Sequence, residues 1–600
     1  MALRGGTEWP CPLNVRELDL LCRPKSTLLR GDGMVKDAIS NSQYRRYPII
    51  YVRGFAFTAE ERDDTAADPY CGFNIGSSVY RASPTKDRPR TYMFESPVVR
   101  LANEYGYNVI YQDGMSVMDP AFTTGEDGVK NVKEGIPPYS IVIHRFFDSR
   151  SNLLGNGKPS NIDDYAKELG TLIATVRRLV RPRAQAIDPT YEDEDFRCYL
   201  VAHSMGGLVV RALLENAANE VEHIEFEGER VPVEPVRGCV AKVFTYATPH
   251  NGIEFASLNV PAFLNDINKF NRNVMREYLD NVPINGNVNY LPADISPPAT
   301  HWFTMVGTNR LDYDVLLGAS RTFVGRGSDG LVRIDNATLW YNKPDEPDQT
   351  MPVACAYAYR AHSGPFGIVN SVEAYQNLVR FLFGNFRVDL WLDIESATLP
   401  ADVLKQETVH RRRVDAIYQI ELVASPRGKP WALSRRKAEE DSPACRTYQE
   451  IRNNACDPVH LSTVFLMSTQ RVNQSRPGVS YAVTIGVKAP DYEVDRSFWK
   501  DGHYEGVSIF RDSLVVTLYD PTDHTELLGQ PTKEWLLEYY WLQRKCQVGP
   551  DGNPVAEQCR FTPHSLDMPI TLRVPLYQDG MNESSGQIKA TLRMEAKKWD

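Results

Sequence analysis

Ser204 stands between two small residues, Ala202 two positions before it and Gly206 two positions after. The surrounding sequence, FRCYLVAHSMGGLVVRALLENA (Phe196–Ala217), passes from an apolar strand-like run through a short turn into an apolar helix-like run. A serine hydroxyl is a poor nucleophile at neutral pH. To attack a carbonyl it needs a base beside it, a group that orients the base, and donors for the oxyanion that forms. A strand–turn–helix corner meets part of that need, because it lifts the hydroxyl clear of the sheet edge and sets it near the positive end of the next helix. Small residues at 202 and 206 allow so sharp a turn, and Gly207 allows the helix to pack closely.

The elements that must hold such a corner are visible on both sides of it. YPIIYVRGF (Tyr47–Phe55) and YSIVIHRFF (Tyr139–Phe147) read as buried strands, as do Cys198–Ala202, CVAKVFTYATPH (Cys239–His250), HWFTMVG (His301–Gly307) and ACAYAYRAH (Ala354–His362). NIDDYAKELGTLIATVRRLV (Asn161–Val180) is an amphipathic helix with apolar residues at Tyr165, Leu169, Leu172, Ile173, Val176 and Leu179. A second helix follows Ser204. A third spans VNSVEAYQNLVRFLFG, capped by Asn370 or Ser371 and stopped by Gly384. Alternating β and α segments with apolar strands predict a mostly parallel sheet with helices on both faces. Residues 58–138 fit this pattern poorly and read as an insertion. Residues 257–300 carry an apolar helical stripe, Phe263, Ile267, Phe270, Val274 and Tyr278, that suits either core or a mobile lid.

After Gly384 the period changes to two. RVDLWLDI, SYAVTIGVK, MPITLRVPL and GQIKATLRM each alternate apolar and polar residues. That predicts antiparallel strands with one wet face, and hence a C-terminal all-β, sandwich-like domain over 386–600 beside a catalytic domain over 1–385. A length of 600 residues exceeds what one core organises. The net charge of −10 argues against a nucleic-acid partner, which calls for a basic face. No stretch approaches the ~20 apolar residues of a membrane span. The N-terminal sequence has no continuous apolar region of signal-peptide type. The chain is therefore expected to be cytoplasmic as synthesised, or secreted by a route that reads no signal peptide. Of ten cysteines, Cys198, Cys239 and Cys355 lie in apolar strands and read as buried thiols. Cys445/Cys456 and Cys546/Cys559 are spaced to close two small loops, either as disulfides or as free pairs.

AHSMGGLVVRALL resembles the nucleophile elbow of the α/β-hydrolase superfamily. It is similar to bacterial lipases whose elbow begins with alanine and to lipases related to GPI inositol-deacylases. The resemblance covers roughly residues 47–384. In that superfamily the order is Ser, then Asp or Glu, then His. His144 and His203 precede Ser204, and His410, His460, His503, His524 and His564 lie beyond the sheet domain, which leaves His223, His250, His301 and His362. His223 follows the serine's helix too closely. His250, in TPHNG, matches a sequence that shapes the pocket rim in similar lipases. His301 opens a strand. His362, after the last strand and before the last helix, is where the resemblance puts the base. Asp329, in SDGLV, looks like the acid loop of many lipases, with Asp335 in reserve and Asp312 and Asp314 weaker. The resemblance also implies two oxyanion donors, the N–H of Met205 and the N–H of Phe55 in YVRGF, where Arg53 replaces the usual histidine. Arg53 suits an anionic head group or a structural ion pair.

Together these imply a serine ester hydrolase acting on a lipid or acyl ester, with no metal or cofactor required. An amidase or acyltransferase with the same triad, a carboxylesterase for small soluble esters and a non-catalytic binding scaffold are the alternatives. A leaderless lipase with an extra β-domain also resembles phospholipase effectors exported by bacterial contact-dependent secretion systems. That likeness implies peripheral membrane contact, or a protein partner, through the C-terminal domain.

Overall fold

The computed structural model describes residues 46–600 apart from 55–76, 82–89, 95–96, 114–115, 119–134, 145, 147–160, 227, 254–269, 281–282, 314–325, 365, 454–455, 472–476, 495–501, 506–507, 544–555, 563–568, 577–585 and 600. Its main sheet takes strands β1 (Ile49–Val52), β2 (Asn108–Asp113), β3 (Ser116–Met118), β4 (Ser140–His144), β5 (Cys198–His203), β6 (Val240–Tyr246), β7 (Trp302–Gly307) and β8 (Ala354–Ala358). The spatial order is β8-β7-β6-β5-β1-β4-β2-β3. Every neighbouring pair is parallel except β2 with β3. This is the α/β-hydrolase fold expected from the sequence.

The strands are apolar throughout because both faces are covered. On β1, Ile50 and Val52 face one core with helices α2 (Ile162–Ile187) and α3 (Met205–Glu215). Ile49 and Tyr51 face the other, with α1 (Pro97–Tyr105) and α5 (Val372–Phe383). The short helix α4 (Arg272–Leu279) lies between α3 and α5 in the chain. Asn161 caps α2 by accepting from the Asp164 N–H at 2.7 Å. That helix runs through Pro182 to Ile187, seven residues past the expected end at Val180. Ser371, not Asn370, caps α5.

Two expectations change shape here. The segment 58–138 contains α1 and β2, and β2 joins the main sheet through Val109↔Ile141 and Ile110↔Val142. The described part of the 257–300 stripe packs inward, with Phe270, Met275, Tyr278 and Leu279 buried in the first core while Val274 is 37% exposed. Phe263 and Ile267 lie outside the described residues, with the rest of 257–269.

From Phe386 onward the strands are antiparallel. Besides the short strands Ser434–Arg436 and Ala444–Thr447, which pair with β10, they are β9 (Phe386–Thr398), β10 (Val414–Pro426), β11 (Val459–Leu466), β12 (Val479–Lys488), β13 (Asp491–Val494), β14 (Gly502–Glu505), β15 (Ser508–Tyr519), β16 (Trp535–Trp541), β17 (Glu557–Phe561), β18 (Ile570–Leu576) and β19 (Gln587–Lys598). One sheet has the order β11-β9-β19-β18 and the other β14-β13-β10-β12-β15-β16-β17. Inward residues of both, such as Leu390, Leu592, Val483 and Leu514, share one core, and Phe386 of the first sheet meets Trp535 of the second edge-on at 5.6 Å. The expected sandwich-like arrangement is present.

The sandwich is joined to the main sheet by packing. Phe465 and Trp599 belong to the same core as Phe244, Phe303 and Phe381. The edge strand β8 is covered: its Cys355 carbonyl accepts from Ser462 Oγ at 3.0 Å, and its Tyr357 N–H donates to Ser434 Oγ at 3.2 Å. Covering a sheet edge removes a template for unwanted strand pairing. Residues 46–600 pack as one compact unit. Among the described residues no helix is long and apolar enough to cross a membrane. Cys198, Cys239 and Cys355 are buried free thiols. Cys445, Cys456 and Cys559 are also free, so neither loop is closed by a disulfide. Cys445 Sγ lies 3.9 Å from the Pro443 carbonyl and Cys456 Sγ 3.7 Å from that of Asp457. Cys546 lies outside the described residues.

Candidate active site

Ser204 sits at the corner between β5 and α3 with φ 53° and ψ −126°. A non-glycine residue in that region is strained and persists only where its surroundings enforce it. Here the Ser204 N–H donates to the Tyr246 carbonyl at 2.9 Å, and the Gly207 N–H donates to the Ser204 carbonyl at 3.0 Å. Gly206 is required by close approach, since an added Cβ would lie within the van der Waals envelope of the Val52 and Arg53 carbonyls. The corner is therefore pressed against the end of β1, which pairs with β5 through Val52↔Ala202.

The structure brings Ser204, His362 and Asp329 together. His362 Nε2 is 2.9 Å from Ser204 Oγ, and His362 Nδ1 is 2.9 Å from Asp329 Oδ2. All three side chains are buried, with the whole of Ser204 7% exposed. Asp329 accepts on its other oxygen, Oδ1, from the N–H groups of Leu331 at 3.0 Å and Val332 at 2.8 Å. Its backbone carbonyl accepts from the His362 N–H at 3.0 Å. The Asp329 carboxylate is thus oriented by its own turn. Gly330 completes that turn with φ +102°, and Tyr313 packs against it where a side chain would stand. The Tyr313 ring also meets the His362 ring edge-on at 5.7 Å.

Met205 is the first residue of α3, so its N–H belongs to the first turn, whose donors lack intrahelical partners. Such a group, beside Ser204 and at the positive helix end, is placed to meet negative charge. Phe55 lies outside the described residues. Its neighbour Gly54 is close to the corner, where an added Cβ would be 2.7 Å from Ser204 Cβ and 3.1 Å from His203 Nδ1. Gly54 therefore lies directly against the corner at Ser204.

The remaining candidates lie elsewhere. Asp335 is exposed in the 3-10 turn Ile334–Ala337, and Asp312 accepts from Asn309 Nδ2 at 2.6 Å. Asp314 is outside the described residues. His250 is fully buried with Nε2 3.1 Å from Thr245 Oγ1, and burial holds its pKa well below the usual value. His301 packs on Trp599, and His223 opens an exposed hairpin.

One residue set aside as a base takes part in the geometry. His203 Nε2 is 2.9 Å from the His362 carbonyl. Burial, with a smaller contribution from His362, lowers its pKa to about 3, so it is neutral. Its position next to Ser204 is the sequence signal that could have marked it.

No family model and no curated protein matches this sequence. Solved structures with some likeness include a Listeria innocua gene product, at 12% identity over 56% of this chain and 94% of that one, with a TM-score of 0.22. A Bacillus licheniformis lipase in propeptide form is 12% identical over 78% and 94%, with a TM-score of 0.26. Phospholipase PlaB from Legionella pneumophila is 13% identical over 76% and 89%, with a TM-score of 0.24. At these TM-scores the fold assignment rests on the strand order and the corner at Ser204.

Proposed function

We propose that this protein is a serine hydrolase that cleaves carboxylic esters of lipids through an acyl-enzyme. The observation that carries the reading is the continuous hydrogen-bonded array Ser204–His362–Asp329 at a strained strand–helix corner. As Ser204 Oγ attacks the ester carbonyl carbon, His362 Nε2 takes its proton. Asp329 keeps the other ring proton on Nδ1 and stabilises the imidazolium. The N–H groups of Met205 and Phe55 hold the oxyanion. Collapse of the tetrahedral adduct breaks the ester C–O bond, and His362 returns the proton to the departing alkoxide. Water then attacks the acyl-enzyme, again giving a proton to His362, and Ser204 leaves protonated with the carboxylic acid released.

The lipid preference is supported by the lipase-like elbow and the SDGLV acid loop. In this reading the antiparallel part presents the site to a membrane or a partner protein. The test is turnover of p-nitrophenyl esters from acetyl to palmitoyl, together with phospholipid vesicles, using wild type and Ser204→Ala. Long-chain or phospholipid hydrolysis that vanishes in the variant is the expected result. Activity confined to short chains would make the protein a carboxylesterase. No serine-dependent turnover and no fluorophosphonate labelling at Ser204 would leave a binding scaffold.

A further inference from the structure

The four polar groups of His362 are all engaged. Its N–H donates to the Asp329 carbonyl at 3.0 Å, its Nδ1 and Nε2 meet Asp329 and Ser204, and its carbonyl lies 2.9 Å from His203 Nε2. Two of these contacts bind the base to the acid, and one binds it to the nucleophile. The fourth ties the base loop to β5 itself, the strand that ends at the nucleophile. A carbonyl only accepts, so the proton of that bond belongs to His203 and sits on Nε2. His203 Nδ1 then carries a lone pair and lies against Gly54, just past the end of β1. The ring is therefore a strut between the base loop on one side and the loop after β1 on the other.

We infer that His203 is a positioning residue: its Nε2–H holds the His362 peptide, and hence the imidazole, at hydrogen-bonding distance from Ser204 independently of the serine hydroxyl. The inference rests on the serine-hydrolase reading above. It has a mechanical consequence. During acylation Ser204 Oγ becomes an ester oxygen, and its bond to His362 is no longer the one that held the resting site together. The tie through His203 persists through both half-reactions, so the base is still in place to activate water. Losing it would let the imidazole drift, and a displacement on the order of 1 Å at a reacting pair costs up to ~100-fold in rate.

The experiment compares wild type, His203→Ala and His203→Gln for kcat and KM on p-nitrophenyl butyrate and for the rate of fluorophosphonate labelling at Ser204. For His203→Ala, kcat and labelling are expected to fall roughly 10- to 100-fold with KM within about 2-fold. Gln offers an N–H near the position of His Nε2 and should recover much of the loss. Wild type labelling at Ser204 with His203→Ala equally fast, or His203→Gln no better than His203→Ala, would overturn this inference alone. Absence of labelling in wild type would overturn the serine-hydrolase reading and the inference with it. Should His203→Ala not fold, 15N spectra of histidine-labelled wild type decide. His203 is expected as the Nε2–H tautomer without titration from pH 8 to 5, and a titrating ring or a proton on Nδ1 would overturn the assignment.

Discussion

Trp599, the last described residue of the chain, donates its indole N–H to the carbonyl of Phe381, in the last turn of α5, at 2.7 Å. Lys242 Nζ reaches the same carbonyl at 3.2 Å and that of Leu382 at 3.1 Å, and lies 4.5 Å from the centre of the Trp599 ring. The last carbonyls of a helix have no partner within it. Two of those of α5, the helix that follows His362, are thus satisfied from a strand of the main sheet and from the far end of the sequence.

A chain ended after Gly384 would uncover Phe303 and Phe381 and bare the edge of β8. Exposed apolar surface beside an unpaired strand edge is an aggregation hazard. We expect residues 46–384 to be recovered as aggregate, and Trp599→Ala in the full chain to lose about 3–5 kcal/mol. Size-exclusion chromatography and thermal unfolding check both. A soluble monomer of the truncated chain with wild-type melting would contradict the packing argument.

Asp329→Asn separates geometry from charge. Asp329 Oδ1 accepts two backbone N–H groups, so the Asn oxygen is held there and its amide NH2 faces His362 Nδ1. A donor at that point forces the His362 proton onto Nε2, the wrong tautomer for a base toward Ser204. The expected outcome is a fall in kcat of about 10⁴ with folding retained, as for the same change in a Ser-His-Asp protease. A loss under tenfold in steady-state kinetics would assign the acid's role to another group.

Arg211 and Glu215 form an ion pair with both side chains fully buried, and Arg211 also donates to the carbonyls of His250 at 2.9 Å and Val288 at 2.8 Å. Arg211→Met would strip Glu215 of its guanidinium partner. The expected cost is about 3–5 kcal/mol, measured by denaturant unfolding. Arg211→Met with Glu215→Leu should recover a large part of it, because removing both charges removes the uncompensated one. Equal stability of the single and double variants would show that the cost lies in the two carbonyls instead.

Acid sensitivity follows from five imidazoles among the described residues that burial keeps neutral. Burial lowers the pKa of His144, His301 and His460 to about 4 and that of His203 to about 3, and it holds His250 well below the usual value. An unfolded histidine titrates near 6.5. Between that value and the folded ones the unfolded chain binds more protons, so stability is fully present above about pH 6.5 and is lost as the pH falls. Each such histidine contributes a slope of up to ~1.4 kcal/mol per pH unit in that window. The melting temperature should therefore drop steeply from pH 7 to pH 5. A flat profile over that range would mean these rings are hydrated or partnered when folded.

The sequence by itself determined the elements and the corner. A strand, a turn and a helix around Ser204 are local patterns, so Ala202, Gly206 and the apolar runs beside them were readable without neighbours. Asp329 and His362 were readable from chain order together with a family resemblance. β2 was not, because Asn108, Gln112 and Asp113 disguise a strand whose pairing through Val109 and Ile110 is evident only beside β4. β10 carries the two-residue period in plain view, yet its place inside the larger sheet depends on pairing with β12 and β13, from Pro426↔Tyr481 to Val414↔Val494. Tertiary structure alone decided that Ser204, Asp329 and His362 meet within 2.9 Å contacts, that His203 ties the base loop to β5, and that Trp599 completes α5. The physical reason is range. Backbone preference and hydrophobic period act over a few residues, whereas these contacts join residues 33 to 218 positions apart, and their distances are set by packing of the whole sheet.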